Sequence, residues 1–223
     1  MSRTYLAQQP LVLEQALDPT LWWKRPLDLA LGTLALLLAL PLIAGLALAV
    51  VLESPGPAFF GQERVGYRGR TFRMWKLRTM RRGCDEGPHR RSAADWFAGH
   101  AGSGGRYKTL ADDRVTRVGR LLRRLDLDEL PQLFNVVLGD MSLVGPRPAI
   151  PYELEHYQPA HFQRLRVPPG LTGLWQVSPR DRLSADEMMQ LDLHYVREAS
   201  PWLDLAVLAR TAQALVVSAA GGA

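Results

Sequence analysis

From Leu29 to Leu52 the chain reads LALGTLALLLALPLIAGLALAVVL, 24 residues without a charge. A helix needs roughly 20 apolar residues to cross a hydrocarbon core of about 30 Å. A helix apolar on every side is a membrane segment or a fully buried core helix, and the length here favours the membrane. A cleavable signal fits poorly. The block starts late, and its exit, Glu53-Ser54-Pro55-Gly56-Pro57, offers no small-residue cleavage site. Pro41 sits mid-block, removes a backbone donor and predicts a bend or break there. Lys24 and Arg25 precede the block; Arg64, Arg68 and Arg70 follow it. Basic flanks stay cytoplasmic, so a hairpin that enters and leaves on one face satisfies both ends. A plain spanning helix with a proline kink is the alternative. Asp28 is placed to pair with Lys24 or Arg25, and Trp22-Trp23 reads as an interfacial anchor.

Past the block, 54–62 is turn-rich. Thr71-Phe72-Arg73-Met74-Trp75-Lys76-Leu77-Arg78 alternates as a strand with one basic face. The stretch 83–106, rich in Gly, Arg, Ser and Ala, reads as a flexible loop with a short helix at 92–98 and a mobile flap at 99–105. Helical spacing recurs over 113–124, which carries Arg114, Arg117, Arg120, Arg123 and Arg124. A short helix is expected over 127–138, with Pro131 in its first turn and Gly139 as its stop. Then come a loop at 141–148, a polar helix over 152–165, an irregular stretch at 167–180 and a helix over 186–198. An amphipathic C-terminal segment, 202–217, lies in the interface or packs on the core. The expected fold is therefore α/β, mostly helical with a small sheet; in the hairpin reading it is a monotopic membrane protein with interfacial helices. Its parts are an extension (1–21), a membrane helix (22–53) that is re-entrant in that reading, the main domain (54–217) and a tail (218–223).

The 223 residues are 47% hydrophobic and 22% charged, enough apolar material for a real core. The single cysteine, Cys84, excludes a disulfide framework and Cys-rich zinc sites. Lys and Arg exceed Asp and Glu by 27 to 22, which favours an anionic partner. There is no P-loop, dinucleotide fingerprint or serine elbow. His156 and His161 are five apart and do not share a helical face.

The informative chemistry is Asp128-Glu129 at the start of the predicted helix 127–138. Adjacent carboxylates there meet the positive end of the helix dipole. They could bind Mg²⁺ together with substrate phosphates, or attack phosphorus as a nucleophile; a plain acidic first turn is the competing explanation. The arginine series leads into this pair. Arg147 is held between Pro146 and Pro148, which suits a guanidinium that grips phosphate. Lys76 and Arg78 lie on the basic strand.

Five blocks, taken in order, carry a resemblance: Gly56 to Gly66 (GPAFFGQERVG), Trp75 to Met80 (WKLRTM), Leu127 to Val136 (LDELPQLFNV), Gly139 to Pro148 (GDMSLVGPRP) and Pro169 to Val177 (PGLTGLWQV). Together they resemble the bacterial sugar transferases, the small monotopic phosphoglycosyl transferases, from about Trp22 to Val217. The resemblance implies transfer of a sugar-1-phosphate from a UDP-sugar to polyprenyl phosphate, with release of UMP. It implies a ping-pong route through a phosphosugar on Asp128, with Mg²⁺, at the start of glycan assembly. By the same resemblance Glu129 completes the dyad, Arg147, Arg123 and Lys76 bind phosphate, Asp128 meets the metal, and Lys24, Arg25, Asp28 and Pro41 belong to the re-entrant anchor. The place is the cytoplasmic face of the bacterial inner membrane, among membrane lipids; no nucleic acid is a partner, and a homodimer is left open. Two departures stand out: Leu40-Pro41 replaces the family's frequent Ser-Pro, and Pro179 stands where a Gly is expected before Arg180, a further substrate-binding candidate. The rival reading is a non-catalytic adaptor whose basic face binds anionic lipid or nucleic acid. It explains the charge but gives no reason for the acidic pair beside Arg147.

Overall fold

A computed structural model describes residues 21–81, 83, 96–97, 113–178 and 183–220, the last six as backbone only. The element order is α1 (Lys24–Glu53), β1 (Phe59–Val65), β2 (Thr71–Leu77), α2 (Arg117–Arg124), α3 (Gln132–Leu138), β3 (Ser142–Val144), β4 (Gly170–Thr172), α4 (Ala185–Glu198) and α5 (Pro201–Ala220). Four 3₁₀ segments, at Tyr67–Gly69, Leu127–Glu129, Pro151–His156 and Pro159–Arg166, fill the connections among the described residues. The chain is mostly helical with a little sheet, as expected.

α1 is the one helix among the described residues that is long and apolar enough to cross a membrane. The break expected at Pro41 is not an interruption: helical geometry runs on from Lys24 to Glu53 with the proline inside. One face of α1 packs on the rest of the chain through Lys24, Asp28, Gly32, Leu36, Ile43 and Val50, at spacings of four and seven. Gly32 is needed because a Cβ there would meet Val136 Cγ1 at 2.9 Å. The opposite face is bare leucine, with Leu38 72% and Leu52 75% exposed. Only 17% of its most apolar window is buried, so α1 is not the core helix of a soluble protein.

Both ends of α1 are tied down. Lys24 Nζ meets Asp204 Oδ2 of α5 at 2.7 Å. Asp28 Oδ1 accepts from Ser142 Oγ and from the Leu143 amide, each at 2.8 Å. Arg25 donates to the carbonyls of Val136 and Val137 at 2.7 and 2.8 Å, closing the end of α3. At the other end Glu53 accepts from the amides of Arg117 and Val118 at 2.7 and 2.9 Å, capping α2. Lys24 and Asp28 therefore turn inward while Arg25 stays exposed, and the expected pairing of Asp28 with Lys24 or Arg25 is replaced by these longer-range bonds.

β1 and β2 form an antiparallel hairpin from Phe59↔Leu77 to Val65↔Thr71. β3 and β4 pair in parallel, Ser142↔Gly170 and Val144↔Thr172. The central core joins Leu36, Met74, Leu133, Val136, Met141, Val144, Tyr195 and Val207, drawn from α1, β2, α3, β3, α4 and α5. α5 packs by one side only. Val207 is buried and Thr211 bonds Thr172 at 2.8 Å, while Trp202 stands exposed.

The expected polar helix over 152–165 is two 3₁₀ segments instead. Pro159 disfavours helical geometry at Gln158, which is extended at ψ 159°. The stretches 141–148 and 167–180, read as irregular, contain β3 and β4. The expected loop at 83–106 and the flap at 99–105 lie almost wholly outside the described residues. Within that loop Trp96 and Phe97 are described, and Phe97 stacks on His156 at 5.5 Å.

Candidate active site

The carboxylate pair does not open an α-helix as predicted. Thr116 caps α2 by accepting from the Gly119 amide at 2.9 Å, and the helix ends at Arg124. Asp126 then takes left-handed backbone, φ 53°, and turns the chain into the 3₁₀ segment that carries Asp128 and Glu129. Asp128 is buried at 4% exposure. Carboxylate oxygens of Asp126, Asp128 and Glu129 all lie within 4.8 Å of one another. Three close carboxylates repel unless a cation joins them, and an all-oxygen donor set suits a hard ion such as Mg²⁺. The residues present therefore fit the metal that the resemblance implies. Asp126 was not singled out from the sequence; its place next to the pair was the available signal.

β2 supplies the opposing cation. Lys76 Nζ lies 3.1 Å from Glu129 Oε1. This distance is set by Asn135, which is fully buried. Its Oδ1 accepts from the Trp75 amide at 3.0 Å, and its Nδ2 donates to the Arg73 carbonyl at 2.8 Å. One side chain thus stitches α3 to the strand bearing Lys76.

Arg147 comes from the segment after β3. Gly145 lies so close to β4 that a Cβ on it would meet the Pro168 carbonyl at 2.5 Å. The carbonyls of Pro146, Arg147 and Pro148 accept from the Gly170 amide, Arg164 Nη2 and Arg64 Nη1, each at 2.9 Å. The Arg147 side chain reaches Glu153 Oε1 at 3.5 Å. Glu153 in turn accepts from the Ile150 amide at 2.8 Å.

These elements converge on a small open cleft lined by Lys76, Glu129, Gln132, Arg147, Gly170 and Gln176, among others. Two cations and two side-chain amides are donors of the kind a phosphate accepts from. The other expected residues are placed differently. Arg78 donates to the carbonyls of Ser54, in a short contact, and Pro55 at 3.0 Å, fixing the chain where it leaves α1. Arg123 Nε donates to Thr79 Oγ1 at 2.9 Å, tying α2 to the end of β2. Neither is on the cleft lining, and Arg180 lies outside the described residues. Gln132, Asn135, Glu153, Arg164 and Asp192 carried no local signal and are recognisable only as buried polar groups.

Comparison with known proteins matches residues 19–218 to the family described as bacterial sugar transferase. The chain is 40% identical over 199 residues to exopolysaccharide production protein ExoY of Sinorhizobium fredii, covering 87% of this chain and 86% of that protein. It is 42% identical over 204 residues to the UDP-glucose:undecaprenyl-phosphate glucose-1-phosphate transferase of Caulobacter vibrioides, covering 87% and 70%. It is 41% identical over 193 residues to the undecaprenyl-phosphate galactose phosphotransferase of Salmonella typhimurium, covering 86% of this chain but 40% of that protein. Several relatives are thus far longer than the region they share with it.

Proposed function

This chain belongs to the bacterial sugar transferase family, and from that premise we propose that it moves a sugar-1-phosphate from a UDP-sugar to polyprenyl phosphate and releases UMP. The observation that carries the reading is the convergence of Lys76 and Arg147 on a cleft whose carboxylate wall, Glu129, adjoins buried Asp128. Relatives named as undecaprenyl-phosphate glucose and galactose phosphotransferases support the same class of reaction in polysaccharide synthesis.

In the first half-reaction an Asp128 oxygen attacks the β-phosphorus, the one bearing the sugar. The bond to the bridging oxygen breaks, and UMP leaves with that electron pair. In the second half-reaction a phosphate oxygen of polyprenyl phosphate attacks the same phosphorus. The aspartyl bond breaks, Asp128 regains its carboxylate, and the sugar emerges on a polyprenyl diphosphate. Arg147 and Lys76 hold the diphosphate in line and meet the charge that develops on it. Asp128, with Asp126 and Glu129 in reach, would hold Mg²⁺, which neutralises diphosphate charge when bound. Glu129 either orients Asp128 or takes a proton.

The anchor reading follows from the ties of α1. A straight helix of 30 residues is about 45 Å long. A spanning helix puts its ends on opposite faces of the bilayer, yet Lys24 and Glu53 both bond to the part of the chain that follows. That supports a re-entrant α1 with its exposed leucines in the hydrocarbon and the cleft held at headgroup level, where a lipid phosphate lies. The basic flanks favour the cytoplasmic face.

The test is UMP release by the purified chain in nanodiscs with undecaprenyl phosphate, Mg²⁺ and a panel of UDP-sugars. One sugar should give UMP, and Asp128→Asn should abolish it. Undiminished turnover in that variant would sink the mechanism. Release by no sugar from folded protein would shift the weight to a basic membrane adaptor.

A further inference from the structure

A buried ion pair outside the cleft grips Arg147 by its backbone. Arg164 and Asp192 come from the 3₁₀ segment Pro159–Arg166 and from α4, and both are almost wholly enclosed. Arg164 Nη2 lies 2.5 Å from Asp192 Oδ2 and donates to the Arg147 carbonyl at 2.9 Å. Asp192 thereby holds the guanidinium that holds the Arg147 carbonyl. The backbone of Arg147 is thus gripped through its carbonyl by one member of a buried pair of opposite charges. The far side of Arg164 is fixed as well, by a short contact with the Tyr157 hydroxyl and by Met189 Sδ at 3.4 Å.

A fully buried ion pair is a poor source of net stability, because desolvation offsets most of the attraction. Its distinctive product is geometry: a planar guanidinium donates in several fixed directions at once. The guanidinium of Arg147 swings from a backbone that cannot shift, with Glu153 as its side-chain counter-charge.

We propose that Arg164 and Asp192 are positioning residues for phosphate binding: together they hold the Arg147 peptide at the one place from which its side chain reaches the diphosphate of the sugar donor. The inference rests on the reading in which Arg147 takes phosphate.

The test is calorimetric titration of UDP, with Mg²⁺, into the detergent-purified full chain, which reads binding without turnover. Arg147→Ala should weaken UDP roughly tenfold to a hundredfold, the size of a lost hydrogen bond to a charged group. Arg164→Lys keeps the charge but loses the fork, and should cost a similar factor. In the Arg147→Ala background it should add less than about twofold, because the two act through one interaction. Asp192→Asn, which keeps an oxygen facing Arg164 but loses the charge, should show the same pattern more mildly. Two results would overturn the proposal: full UDP affinity in folded Arg164→Lys and Asp192→Asn while Arg147→Ala is weakened, or unfolding of both clamp variants, which makes the pair a plain stability element. In the first case the donor reading survives. Failure of the intact chain to bind UDP would instead remove the donor reading and this inference with it.

Discussion

Asn135 shows how much one side chain decides. It is fully buried, pairs the Trp75 amide with the Arg73 carbonyl, and so sets Lys76 against Glu129. Asn135→Leu should cost about 1–3 kcal/mol for each backbone group left unpaired. A lower thermal midpoint, with activity falling further than stability explains, is the expected outcome. His161 makes a different commitment. Its Nδ1 accepts from the Gln158 amide at 3.2 Å, which requires the neutral ring. Burial, and then the Arg164 charge, push its pKa down. The unfolded chain therefore binds the proton more readily, and the stability His161 supplies is present above about pH 6.5 and lost as pH falls through that value. The midpoint should drop between pH 7.5 and 5.5, and drop less in His161→Gln; equal drops would refute the assignment. From the sequence, Asp128 and Glu129 were legible as adjacent carboxylates, Arg147 by its two flanking prolines, and Lys76 by the basic face of its strand and the resemblance. Asn135, Arg164 and Asp192 were not, since a buried polar residue on a helix looks like a surface one until its neighbours are known.

At the scale of elements, periodicity found the long ones. β2, α4 and α5 were expressed in local spacing and α1 in an unbroken apolar run, while the capping box of Ser184 with Glu187 that starts α4 came only with the structure. β3 and β4 were hidden because three residues carry no period, and their pairing needs glycines 25 positions apart. A Cβ on Gly170 would meet the Gly145 amide nitrogen at 2.1 Å. Gly170→Ala should therefore push the Pro146–Pro148 segment away from β4. Weaker UDP affinity than in a surface Gly→Ala control is the expected reading, and an unchanged affinity would mean the strands adjust. The dyad shows why boundaries mislead. Pro131 was read as the first turn of a helix beginning at Leu127, but Asp126 in left-handed backbone makes a separate turn that brings three carboxylates together.

For the whole molecule, the composition and the 24-residue apolar run favoured an anionic partner and a bilayer. What they left open was topology, because sequence flanks cannot say where the two ends of a helix are held. In a Cys84→Ser background, single cysteines at Trp22 and Ser54 should react with an impermeant maleimide from the same face of oriented membrane vesicles. Labelling from opposite faces would establish a spanning helix. Lys24→Met should leave Asp204 buried without its counter-ion, at a cost of about 3–5 kcal/mol, and the added change Asp204→Leu should recover much of it. Thermal unfolding of the single and double variants measures both.

The Lys24–Asp204 bridge joins positions 180 apart in the chain, and this has a consequence in time. During synthesis α1 emerges before α5, and its charged end waits for a partner until the 180 positions between Lys24 and Asp204 have been made. At 5–20 residues per second, that wait is on the order of ten to forty seconds. In the re-entrant reading, the bilayer alone shelters the leucines of α1 throughout it. On that reading the membrane is a template on which this region folds, and the locking of the anchor comes late. A nascent chain stalled short of Asp204 should hold its anchor in lipid and yet have no fixed cleft.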